Sequence, residues 1–146
     1  MNVPEADHVA WLRKAANDLL NISNNLRAEQ VPWDTVCFHA QQCAEKTLKA
    51  YLVFHGYQPQ YTHNLVSLLA SCAGMEPGLA NLQDDCQLLV GYGVHVRYPD
   101  EYEVMEDDSR QAVTALERIR ARLLPLIPAA TDATAGVNRD ADLQDE

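Results

Sequence analysis

Three short stretches of this 146-residue chain carry side chains whose types and spacing could do chemistry. In Arg97-Tyr98-Pro99 an arginine stands two residues before a proline. Proline lacks an N–H and restricts the residue before it, so a helix must end close to Tyr98 and the guanidinium is presented at a defined corner. A group that grips an anion would be placed in this way, although Arg97 could equally tie the acidic segment after it, or Glu45, to the rest of the fold. Tyr98 would cover the end of the helices with its ring. In the second stretch, Gln42, Glu45, Lys46 and Lys49 recur at three- and four-residue spacing and share one strip of a helix. Lys46 and Lys49 could bind a phosphate there. The plainer reading is a solvated face with a Glu45–Lys49 ion pair worth about 0.3 kcal/mol. In the third, His63 directly follows Thr62, an N-cap candidate, so its imidazole would stand at a helix N-terminus, where a bound anion is favoured, or serve packing alone.

Other chemistries find little support. His39 and Cys43 stand four apart and could share a helical face, but two ligands fall short of the three or four a zinc site needs, and no metal or other cofactor is expected. Gly91-Tyr92-Gly93 lacks the third glycine and the preceding strand of a dinucleotide-binding loop. Cys37, Cys43, Cys72 and Cys86 form no Cys-x-x-Cys pair and sit among apolar neighbours, which reads as reduced core thiols in a cytoplasmic protein.

The formal net charge is −10, which argues against broad attraction to nucleic-acid phosphates. Asp100 to Asp108 holds six acids and no base, and residues 129–146 carry a net −4, so the remainder is balanced. Local basic groups, Lys46 with Lys49 or Arg118 with Arg120 and Arg122, could still hold a phosphate. No apolar run is long enough to span a bilayer, and the first residues, with Glu5 and Asp7, carry neither the basic nor the apolar part of a signal peptide.

The elements that must position these groups read as helices almost throughout. Val9, Leu12, Ala16, Leu19, Ser23 and Leu26 predict a first helix, and Pro32 separates it from a second that starts near Trp33. Val36, Ala40, Cys43, Ala44, Leu48, Tyr51 and Leu52 line that second helix, and Gly56 suits its left-handed end. Thr62 would cap a short third helix through Leu69, a fourth would run from about Leu79 to the arginine corner, and a fifth from about Glu106 to Ile127. The fold class is therefore all-α, an antiparallel up-and-down bundle of four long helices and one short one, over residues 5–128. Residues 129–146, without periodicity, read as a disordered acidic tail.

Three blocks, Ala40-Gln41-Gln42-Cys43-Ala44-Glu45-Lys46-Thr47-Leu48-Lys49-Ala50, then Thr62-His63-Asn64-Leu65, then Arg97-Tyr98-Pro99, occur in an order that resembles the HEPN family of small helical bundles. The resemblance covers about residues 7 to 127. It implies a homodimer and frequent pairing with a small nucleotidyltransferase in a toxin–antitoxin-like system. Many HEPN proteins are metal-independent ribonucleases that use an arginine followed, after four to six residues, by a histidine. Counted from Arg97, those positions hold Tyr102, Glu103 and Val104, and no arginine in the chain has a histidine at that spacing. The expectation is a binding protein rather than a nuclease, with nucleotide or RNA recognition at Lys46, Lys49, His63, Arg97 and Tyr98. The alternatives are a divergent RNA endonuclease and an oligomerisation module without a ligand.

Overall fold

The computed structural model describes residues 7–59, 61–93 and 102–128. Among these, the chain forms five α-helices and no strand: α1 (Asp7–Leu26), α2 (Trp33–Phe54), α3 (Leu65–Ala73), α4 (Gln83–Val90) and α5 (Glu106–Leu123). The all-α expectation holds. Arg97, Tyr98 and the segment 129–146 lie outside the described residues.

Helix α2 is the axis of the fold. The other four helices pack on it, and α1 and α5 lie against α2 rather than against each other. Its composition explains this role. Ala40, Cys43, Ala44 and Ala50 are fully buried small residues that let neighbouring backbones approach, while Leu48 and Tyr51 fill the space between them. The helix stops at a glycine. Gly56 has φ +86°, its N–H donates to Val53 O (3.0 Å), and the Tyr57 N–H reaches back to Leu52 O (2.9 Å). This paired closure needs a residue in the left-handed region, which glycine enters without a side-chain clash.

Several boundaries differ from the periodicity reading, each for a local reason. Helix α1 buries Val9, Ala15, Asp18 and Ile22, whereas Leu26 is 42% exposed. The buried face is turned from the predicted stripe because Asp18 is drawn inward by partners on α2. The N-cap of α3 is Asn64, whose Oδ1 accepts from Val66 N and Ser67 N at 2.9 and 3.2 Å. Thr62 instead accepts from the Asn64 N–H (3.1 Å), shaping the turn before the cap. The fourth predicted helix is a 3-10 turn, Pro77–Leu82, followed by α4 proper. Pro125 converts the end of α5 into a 3-10 turn, Leu124–Leu126, and Ile127 still reaches the core.

At the far end of the bundle, His8 Nε2–H donates to Pro128 O (2.7 Å) while its ring meets Phe54 edge-on, joining the first turn of α1 to the end of the described chain. The four cysteines are free and buried. Burial pushes the Cys43, Cys72 and Cys86 thiols up to about 12, as core thiols rather than nucleophiles require. No helix among the described residues is long and apolar enough to cross a membrane.

Candidate functional site

The polar strip of α2 is not a solvated face. Gln41, Glu45, Thr47 and Lys49 are all buried, with Glu45 4% and Lys49 7% exposed. The predicted Glu45–Lys49 ion pair forms, Lys49 Nζ donating to Glu45 Oε2 at 2.9 Å, but it is closed off from water. Burial alone would raise the Glu45 carboxyl. Hydrogen bonds from Lys49, Gln41 and His63 outweigh that and hold it below the usual carboxylate range.

Around Glu45 the network is complete. Gln41 Nε2 donates to Glu45 Oε1 (3.1 Å) and to His63 O (3.2 Å), and Gln41 Oε1 accepts from Gln42 Nε2 (2.7 Å). His63 Nδ1–H lies 3.1 Å from both Glu45 oxygens. A carboxylate only accepts, so the shared proton belongs to the imidazole, and Nε2 is left facing outward on a side chain 71% exposed. Lys49 also stands over the Trp11 ring, 5.4 Å from its centroid, which fixes the ammonium between an acid and an aromatic face. Gly93 packs against the same network: a Cβ there would lie 3.5 Å from Gln41 Cδ.

A second carboxylate organises the α1 side. Asp18, 5% exposed, accepts from His39 Nδ1–H (2.8 Å) on one oxygen and from Lys46 Nζ (2.7 Å) on the other. His39 and Lys46 are seven residues apart, two turns along the same face, so a single acid on α1 can engage both. The strip thus contains two carboxylate–imidazole pairs, Asp18–His39 and Glu45–His63, with a lysine bonded to each carboxylate.

Of the residues predicted from sequence, Lys46, Lys49 and His63 are brought to this region, each on a carboxylate. Arg97 and Tyr98 lie outside the described residues. His39 pairs with Asp18 across helices, and among the described residues no group of three or more His, Cys, Asp or Glu could hold a metal ion. Arg118, Arg120 and Arg122 do not form one patch. Alternate helix positions point about 200° apart, so Arg118 reaches Asp85 (2.9 Å) and Arg122 reaches Gly78 O (3.0 Å), away from Arg120.

Two participants were missed in the sequence, Asp18 and Gln41. Asp18 had a signal: with Trp11, Ala15 and Ile22 it occupies the inward-facing spacing of α1, and an acid on such a stripe calls for a buried partner. Gln41 had none, because glutamine beside glutamine gives no hint of which one turns in.

Comparison with known proteins then places the chain. The HEPN domain family matches residues 8–125, nearly the whole described bundle. This chain belongs to the HEPN domain family. Its HEPN fold is also seen in the crystal structure of TT1696 from Thermus thermophilus, with a TM-score of 0.71 and 24% identity over 82% of this chain and 98% of that one. No curated protein matches it. The HEPN ribonuclease spacing can be followed into the structure: Tyr102 donates its hydroxyl to Asp108 Oδ2 (2.9 Å), and Val104 is buried against the core. Asp108 also accepts the Met105 N–H (2.8 Å) at the start of α5, and its hydrogen bond with Tyr102 pushes the phenol up.

Proposed function

We propose that this HEPN domain is a dimeric binding protein, the partner of a nucleotidyltransferase in a toxin–antitoxin-like pair, and that it does not cut RNA by the arginine–histidine route. The observation that carries this reading is the occupancy of the histidine positions. From Arg97, the spacing falls on Tyr102, Glu103 and Val104. A phenol bonded to Asp108 and raised by it is a poor acid or base near neutrality, and a buried valine is none. Loss of a positioned proton-transfer group removes a factor of about 10²–10⁴ from such a cleavage.

Nucleotide or RNA contacts in this reading come from Lys46 and His63, the more accessible of the paired cations, together with Arg97 and Tyr98. Lys49 acts through Glu45, fixing the acid that orients His63. HEPN domains commonly dimerise, which supports the expected assembly, and the lysines on carboxylates favour a ligand that brings its own shape to the strip over a bare phosphate.

A second reading, a divergent RNA endonuclease, draws on one observation: His63 presents Nε2 outward from a carboxylate-oriented imidazole. One assay separates the two. The purified protein, incubated with single-stranded and structured RNA in chelator, is expected to give no cleavage above background. Cleavage lost in both Arg97→Ala and His63→Ala would establish the nuclease instead. Sedimentation at micromolar concentration is expected to show a dimer, and a monomer would remove the paired-site reading.

A further inference from the structure

A cavity lies apart from the polar strip. It holds about 510 Å³ where the last turn of α1 and the first turn of α2 meet α5, and it is lined by Leu26, Trp33, Ser109, Val113 and Thr114 with Glu106 and Arg110 beside them. This space follows from the packing: α1 and α5 both rest on α2 without closing on each other. The volume lies within the range of small-molecule sites, about 300–1,000 Å³.

Ser109 is the informative residue. It is 1% exposed, and among the described residues its hydroxyl makes no hydrogen bond. A buried helical serine ordinarily donates to the carbonyl four residues back. Here Met105 O accepts the Ser109 backbone N–H (3.2 Å) instead. Leaving a hydroxyl unpaired away from water costs about 1–3 kcal/mol, so a hydrogen-bonding partner entering the cavity would recover an interaction that the protein alone forgoes.

The walls define what that partner is. Trp33 offers an aromatic surface opposite Leu26 and Val113, which favours a flat ring over a compact polar molecule. Glu106 and Arg110 form an ion pair with each other, so the local charge cancels and an ionised ligand gains nothing. We propose that this cavity binds a neutral planar heteroaromatic molecule, its ring against Trp33 and its ring nitrogen or N–H on the Ser109 hydroxyl. The inference is independent of the proposed function at the α2 strip.

The test is a two-dimensional ¹H–¹⁵N NMR titration of the full chain with indole, quinoline and benzoate. Indole or quinoline is expected to give saturable shifts at the Trp33 side-chain N–H and at the Ser109, Val113 and Thr114 amides, with benzoate binding more weakly. Ser109→Ala is expected to weaken that binding about fivefold, the worth of one hydrogen bond, while leaving the melting temperature unchanged or higher. Trp33→Leu should weaken it as well. No saturable shift at these positions, equal binding by Ser109→Ala, or benzoate binding as well as the neutral probes would each overturn the proposal. A clear drop in melting temperature for Ser109→Ala would also overturn it, by showing that the hydroxyl already has a structural partner.

Discussion

Glu45–Lys49 on α2 and Glu106–Arg110 on α5 are the same motif in sequence, an acid four residues before a base on a helix, and opposite objects in the fold. The first pair has side chains 5% and 8% exposed; the second, 48% and 72%. Coulomb attraction in a water-poor interior is several times stronger than at the surface, but each buried charge has also lost its hydration. The buried pair therefore matters mainly by what happens when one member is removed, whereas the surface pair is nearly interchangeable with water. Local spacing says that a pair can form. Only the packing around it says what the pair is worth.

The largest effect expected from this contrast is at Glu45. Glu45→Ala leaves the Lys49 ammonium buried without its acid and releases Gln41 and His63, and about 3–5 kcal/mol of stability should be lost in urea unfolding. A loss below about 1 kcal/mol would mean that water replaces the carboxylate, and the strip would be a surface after all. The pH dependence sharpens the point. Because the folded carboxyl is held below its ordinary value of 4.5, its contribution is complete above that value and is lost as pH falls through the lower folded value. Glu45→Gln should therefore flatten the acid limb of the stability curve below about pH 4.5 and leave the neutral-to-alkaline limb unchanged.

Asp18 comes next. It is as buried as Glu45, yet its partners His39 and Lys46 have side chains 18% and 22% exposed and can turn toward water when the acid is removed. Asp18→Ala is expected to cost about 2 kcal/mol, less than Glu45→Ala, because hydrogen bonds to a charged group are lost without stranding a fully buried cation. The order of the two variants, measured by the same urea titration, is the check.

These contrasts also show how far the sequence could be read. Helical periodicity located every α-helix, and the spacing of Lys46, Lys49 and His63 marked the face on which polar chemistry gathers. Burial was not legible there, because Glu45 and Lys49 become interior only when α1 and the loop before α3 close over them. The partner acid of Lys46 lies 28 residues away on another helix, and no local rule connects Asp18 to it. The turn chemistry was half legible. Gly56 was readable because a left-handed closure requires it, while Thr62 and Asn64 are both good caps and tertiary packing selected Asn64.

A smaller effect is expected at His63, which touches the buried network from its exposed side. His63→Ala removes one of several hydrogen bonds to Glu45 and leaves Lys49 and Gln41 in place, so the thermal midpoint should fall by only a few degrees. Its influence should appear in binding. If the strip holds a nucleotide or RNA, affinity falls in His63→Ala while Glu45→Gln, which keeps a hydrogen-bond acceptor, retains part of it. Equal affinity in His63→Ala and the unmodified protein, by fluorescence anisotropy with a labelled oligonucleotide, would remove His63 from the ligand contacts.

The smallest effect belongs to the surface twin. Arg110 donates from Nε and Nη2 to Glu106 Oε2, and both side chains stand largely in water, where the gain from contact is offset by the freedom the side chains lose. Glu106→Gln is expected to leave the unfolding midpoint unchanged within error in moderate salt, because water and ions solvate Arg110 as well as the carboxylate does. The same substitution does alter the charge beside the α1–α5 cavity. It should strengthen benzoate binding relative to indole or quinoline, since the guanidinium is no longer balanced by an acid. A destabilisation comparable to that of Glu45→Ala would contradict the division into buried and exposed pairs. Unchanged benzoate binding would show that Arg110 and Glu106 do not set the charge preference of the cavity.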